Sequence, residues 1–79
     1  MIDQIRGVLR QHARLAVDVD TLSADADLYA AGLTSHATVN LMVALENQFD
    51  VEFPESMLRR RSFESIAAIQ SALAELTAG

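Results

Sequence analysis

The sequence predicts an all-α fold: a small four-helix bundle, three main helices plus one short helix, with a long first connecting loop. Three observations carry this. Apolar residues recur at three- and four-residue intervals in three separate stretches, the spacing that places them on one face of a helix. Residues that cap or stop helices fall between those stretches. The one stretch that alternates like a strand, "FDVEF" (49–53), would be isolated, and an isolated strand has nothing to pair with.

Taken in order, the first helix is predicted over about residues 2–16. Ile2, Ile5, Val8, Leu9 and Leu15 form its apolar stripe, and Arg6, Arg10 and Arg14 lie on another face. His12 falls at the boundary of the stripe, and Gly7 weakens the helix slightly. From Val17 to Thr34 no periodicity is sustained. A structureless link of that length is unusual in a compact domain, but this one carries its own anchors in Leu22, Leu28, Tyr29 and Leu33. "SADADLYAAG" (23–32) is expected to form one or two helical turns, with Ser23 or Asp25 as cap and Gly32 as a left-handed stop.

The second helix is predicted over Ser35–Phe49. At about 100° per residue, Thr38, Leu41, Met42, Leu45 and Phe49 share the inner face. His36, Asn40, Val43 and Asn47 lie opposite, flanked by Val39 and Glu46. Val43 is thus an apolar residue on a wet face, the kind of knob a partner uses. Pro54 then suits a first helical position and opens the short helix, Pro54–Arg60. Ser62 is expected to cap the last helix, 63–77, whose stripe is Phe63, Ile66, Ile69, Leu73 and Leu76.

A chain of 79 residues is read as one domain, 1–79, burying roughly 60% of its unfolded surface. Without cysteine it has no disulfide, no thiolate metal site and no thiol nucleophile of its own. Net charge is −5 and none of its six basic residues is lysine. That balance argues against nucleic acid and anionic membrane as partners and favours basic proteins. "MIDQIRGVLRQ" carries charges where a signal peptide needs an apolar run. The longest apolar run, Leu41–Leu45, is too short to cross a bilayer. A soluble, cytoplasmic, monomeric protein is the expectation.

The stretch "GLTSHATVN" (32–40) places Thr34 and Ser35 beside His36, at the start of the second helix. Adjacent helical residues diverge by about 100°, so a Ser35–His36 nucleophile–base pair is not formed by proximity in sequence. Nor is "GLTSH" the Gly-x-Ser-x-Gly elbow, which needs a sheet. His12 and His36 lie on different helices, without ligand spacing for a metal, and no glycine-rich loop cradles a nucleotide. The cluster Arg59–Arg61 has two open readings, a solvated helix end and a docking patch for something acidic. Either Thr34 or Ser35 suits an N-cap. A phosphodiester on a serine there would meet unpaired backbone N–H groups and the positive end of the helix dipole.

On these residues the sequence resembles the acyl carrier protein family. "DADLYAAGLTS" resembles the loop before that family's attachment site. "SHATVNLMVALENQFDVEFP" continues in register, with Thr38, Val39, Leu41, Ala44, Leu45, Glu46, Phe49, Asp50, Glu52 and Pro54 at positions typical of the family, and "SFESIAAI" resembles its last helix. The resemblance spans about residues 2–77. It implies that Ser35 carries 4′-phosphopantetheine, added from coenzyme A by a phosphopantetheinyl transferase. A non-catalytic carrier follows, holding an acyl or aminoacyl group as a thioester for delivery from an activating ligase to a downstream transferase.

Thr34-Ser35-His36 stands where the family usually has Asp-Ser-Leu, and the acids often displayed on the second helix are reduced to Glu46. These departures resemble the small aminoacyl carrier proteins, which are loaded by ligases similar to class II aminoacyl-tRNA synthetases. A carrier for polyketide, nonribosomal peptide or unusual lipid assembly is the neighbouring alternative. The partner-facing surface is then expected at Thr34, His36, Ala37, Val39, Asn40, Val43 and Glu46, with Arg59 and Arg60 beside it. The rival function is a helical protein–protein interaction module without a prosthetic group.

Overall fold

The computed structural model describes residues 1–77; the last two positions of the expected 1–79 unit lie outside the described residues. Helices α1 (Ile2–His12), α2 (Ser35–Phe49) and α3 (Ile66–Thr77) pack together, and short 3-10 turns at Val19–Thr21, Glu55–Met57 and Arg60–Phe63 lie in the connections. No strand occurs among the described residues; 51–54 carry no regular secondary structure. The core draws on the predicted stripes, to which Ala37 and Ala72 are added. Ile5, Val8 and Leu9 come from α1, Ala37, Leu41 and Leu45 from α2, and Ile66, Ile69, Ala72 and Leu73 from α3. A fully buried aliphatic side chain such as Leu9, Leu41 or Leu73 contributes about 1.5–3 kcal/mol relative to exposure.

Four boundaries differ from expectation, each for a visible reason. α1 stops at His12 and not near residue 16, because Arg14 takes a left-handed backbone (φ 51°) that ends the helical ladder. His12 is exposed and lies off the core, whereas Ala13 is buried. The short helix expected over Pro54–Arg60 is replaced by the 3-10 turns Glu55–Met57 and Arg60–Phe63. Only Met57 in 54–60 is even half-buried and Leu58 is exposed, so there is no apolar stripe to hold an α-helix against the core. The segment is anchored at its ends instead, where Phe53 and Phe63 stack edge to face at 5.3 Å.

α3 begins at Ile66 and not at 63. A helix from 63 would pair the N–H groups of Ala67 and Ala68 with the carbonyls of Phe63 and Glu64. The Glu64 carbonyl instead accepts from the Leu28 N–H (2.7 Å), and the Ala67 N–H donates to the Ala24 carbonyl (2.9 Å). The cap is accordingly Ser65, whose Oγ accepts from the Ala68 N–H at 3.0 Å, and not Ser62.

Those two bonds also show why the long first connection is packed. Val19, Leu28 and Leu33 are buried in the core, and the Ala16 N–H donates to the Ala31 carbonyl at 3.0 Å. Asp25 and Asp27, paired carboxylates in a loop, both suit capping, and within 23–32 it is Asp27 that caps the turn: its carboxylate accepts from the Tyr29 N–H at 2.9 Å. Gly32 provides the expected left-handed stop (φ 115°), with the Leu33 N–H returning to the Leu28 carbonyl at 2.9 Å. α2 then starts at once. Thr34 is its N-cap, with Oγ1 accepting from the Ala37 N–H at 3.0 Å. At its far end Asp50 turns left-handed (φ 53°).

Two substitutions at glycine should move stability in opposite directions. A Cβ on Gly32 would meet the Ala16 nitrogen at 3.0 Å in a backbone region L-residues avoid, so Gly32→Ala is expected to cost about 1–3 kcal/mol. A Cβ on Gly7 meets nothing within 4 Å, so Gly7→Ala should gain about 0.5–1 kcal/mol in helix propensity. Urea unfolding of both variants checks the pair. At the head of α2, Thr34→Ala should cost about 0.5–2 kcal/mol, whereas Ser35→Ala should stay within about 0.5 kcal/mol. Equal losses at both positions would show that Thr34 is not the cap.

Candidate functional site

The long connection exists to bring the chain to one point, the head of α2. Leu33 is buried and Thr34 exposed, so the backbone rises out of the core just as the helix begins. Thr34 spends its hydroxyl oxygen on the Ala37 N–H. Ser35, the next residue and the first of the helix, is exposed, and its hydroxyl is not engaged in any hydrogen bond among the described residues. The two hydroxyls are thus divided between a structural task and an open one. The N–H groups of Ser35 and His36 belong to the first turn, where no intrahelical carbonyl is available, at the positive end of the helix dipole.

Beside Ser35 lies a groove of about 510 Å³ between α2 and the segment before α3. Thr38, Val39 and Met42 form one wall, and Leu58, Arg59, Arg60 and Phe63 the other, with Tyr29 at the end. It is mostly apolar in its side chains. The Arg60 guanidinium sits 3.9 Å above the centre of the Tyr29 ring, a cation–π contact of about 0.5–1 kcal/mol at an exposed site, which orders one rim. His36 does not share this groove. It lines a different cavity, of about 300 Å³, with His12, Arg14 and Asn40 on the α1 side. Ser35 and His36 therefore line different cavities beside α2, in keeping with the angle of about 100° between helical neighbours.

The other expected surface residues separate into three groups. Val39 and Val43 are 56% and 46% exposed, and His36 and Asn40 are exposed beside them. Ala37 is corrected: at 7% exposure it belongs to the core, in the i, i+4, i+8 row with Leu41 and Leu45, and it meets the surface where it lines the cavity beside His36. Glu46 is half-buried and is turned inward, its Oε2 accepting from the Phe53 N–H at 2.9 Å. That bond ties the last turn of α2 to the extended segment after it, so the acid retained in α2 serves the fold. Arg59 and Arg60 stand on the groove rim. Tyr29, Met42 and Leu58 are groove residues that sequence reasoning did not select; an exposed leucine after Pro54 was the available signal.

The site fits a phosphodiester-linked prosthetic group: an exposed, uncommitted serine hydroxyl, a helix N-terminus to receive the phosphate, and a groove alongside. Comparison with known proteins points the same way. The family model described as "Phosphopantetheine attachment site" matches residues 3–70. The chain is similar to an aminoacyl carrier protein of Agrobacterium fabrum, at 52% identity over 66 residues, covering 84% of this chain and 80% of that protein. It is also similar to aminoacyl carrier protein 1 of Bradyrhizobium diazoefficiens, at 37% identity over 70 residues, covering 89% and 73%. Its fold superimposes with a TM-score of 0.90 on the carrier protein from Agrobacterium tumefaciens in a crystal structure with an engineered Bradyrhizobium japonicum glycine:carrier protein ligase and AMP. That match has 48% identity and covers 92% of this chain and 97% of the other. The chain belongs to the phosphopantetheine attachment-site family, as an acyl or aminoacyl carrier protein that bears 4′-phosphopantetheine.

Proposed function

We propose that Ser35 is the attachment residue and that the cargo is a small amino acid, glycine foremost, loaded by an ATP-dependent ligase. The carrying observation is the division of labour at the head of α2: Thr34 caps the helix and leaves Ser35 exposed at its first position. Ser35 Oγ attacks the phosphorus of coenzyme A that bears the pantetheine arm. One P–O bond forms, the pyrophosphate link breaks, and adenosine 3′,5′-bisphosphate leaves. The transferase takes the serine proton, because His36 lines a different cavity beside the helix. When bound, the group supplies the terminal thiol on which cargo is held as a thioester, a sulfur that the cysteine-free chain lacks.

The choice of amino acid over long acyl chain is supported by two relatives named as aminoacyl carriers and by a structural neighbour complexed with a glycine:carrier protein ligase. A ligase similar to class II aminoacyl-tRNA synthetases is the partner this implies, with a downstream transferase to accept the cargo. The chain works as a single monomeric carrier unit and performs no chemistry of its own; tethering raises the local concentration of cargo at each enzyme. No helix among the described residues is long and apolar enough to cross a membrane. Coenzyme A, consumed in attaching the arm, and ATP, consumed in loading, suit a carrier that works in the cytoplasm. The interaction-module alternative rests on the amphipathic helices and exposed Val43, and is not favoured.

Incubation with a broad-specificity phosphopantetheinyl transferase and coenzyme A should add one phosphopantetheine by intact mass, and none to Ser35→Ala. The modified protein, offered to the glycine:carrier protein ligase with ATP and glycine, should gain one glycyl group that hydroxylamine removes. Retention of the first mass gain in Ser35→Ala, or loading by long acyl chains and no amino acid, would overturn this reading.

A further inference from the structure

Three cavities border α2, and their linings share one property. The groove between α1 and α2, about 580 Å³, runs past Asn40, Val43, Asn47 and Gln48 on one side and His12 and Arg14 on the other. The smaller cavity, lined by Thr34 and His36, shares His12, Arg14 and Asn40 with it. The third is the groove beside Ser35. None of the chain's 11 acidic residues lines any of them. Both histidines do, and so do Arg14, Arg59 and Arg60, in a protein of net charge −5.

The fold produces this layout. Arg6 and Arg10 are committed elsewhere, to the Val19 carbonyl (2.8 Å) and to Asp20 (2.6 Å). Arg14 is brought beside α2 by the left-handed turn that ends α1. Glu46, the acid within α2, is turned inward to the Phe53 N–H. Arg60 is held over Tyr29. The outward strip of α2 is left with two exposed valines, Val39 and Val43, between Arg14 on one flank and Arg59 and Arg60 on the other.

We propose that this face docks an acidic protein surface: a partner presenting an apolar contact to Val39 and Val43, flanked by aspartate or glutamate side chains. The inference rests on the carrier reading, since it names the chemistry of the enzymes that visit Ser35. Net charge alone favours basic partners, but distance decides between the two. At physiological ionic strength charges are screened over about 8 Å, and the molecule measures 33 × 22 × 19 Å. Charges farther than the screening length from α2 therefore contribute little at the contact, and those lining its cavities weigh most in the complementarity.

Two measurements test this. In the first, ligase-catalysed glycylation of the phosphopantetheinylated protein is followed at low salt in Asn40→Glu, Arg59→Glu and Asn40→Lys. The expected kcat/KM falls about 3- to 10-fold in the two glutamate variants and rises in Asn40→Lys, and the differences vanish at high salt. Glu75→Gln changes net charge as much as Asn40→Lys but lines none of the cavities, and should leave the rate unchanged. Faster loading of the glutamate variants, or equal responses at Asn40 and Glu75, would overturn the proposal. In the second, the isotopically labelled apo protein is titrated with an amphipathic Glu/Leu peptide and with its Lys/Leu counterpart. The amides of His36, Asn40 and Val43 should shift with the Glu peptide; a preference for the Lys peptide at those amides, or no response to either, refutes the docking chemistry. The titration needs no prosthetic group, so failure of the carrier reading, seen as no mass gain at Ser35, is distinguishable from failure here.

Discussion

The hydrogen bond from the Ala37 N–H to Thr34 Oγ1 is the contact on which the functional end of the molecule depends. A helix start leaves several backbone N–H groups without partners, and an N-cap side chain satisfies one of them while fixing where the helix begins. With Thr34 in that role, the first helical position falls on Ser35. Were Ser35 the cap, its hydroxyl would be occupied and turned toward the backbone. The presence of two hydroxyls in a row is therefore not redundancy. One holds the helix, and the other is free to carry a group.

That cap is useful only if the chain reaches it in a fixed place. The first connection is long, and a loose link of that length would leave the head of α2 to fray. It is fixed at several points: Leu28 and Leu33 enter the core, the Leu28 N–H reaches Glu64 and the Ala67 N–H reaches Ala24. The same two bonds delay α3 until Ile66. Positioning the site and shortening α3 are thus one event, in which backbone groups that a longer helix would use are given to the connection. Gly32 allows the final turn, because only a residue without Cβ fits against Ala16 with φ 115°.

Much of this was legible in the residues. The apolar stripes of all three main helices, the left-handed Gly32, the anchors Leu28 and Leu33 and the outward position of Val43 follow from spacing and from the conformational limits of single residues. What escaped was set by tertiary partners. The early end of α1 depends on an arginine in a left-handed conformation, which its side chain does not announce. The start of α3 depends on carbonyls captured by a distant loop. Ala37 was placed outside because a small side chain gives a weak periodic signal, yet the row it shares with Leu41 and Leu45 buries it. Glu46 has the charge of a surface residue, and its bond from the Phe53 N–H is a tertiary contact that helical spacing does not announce. The charge pattern around α2 was only half visible: the arginines of 59–61 stand together in sequence, whereas Arg14 joins them across the helix only in the fold.

The division between capping and tethering hydroxyls is tested most directly by locating the added group on the chain. Fragmentation of the phosphopantetheinylated protein by electron transfer, which breaks the backbone and spares the phosphodiester, should place the mass step between the fragments ending at Thr34 and at Ser35. A step at Thr34 or at Thr38 would contradict the account, because it would mean that the residue bonded to the helix backbone is the one that carries the arm.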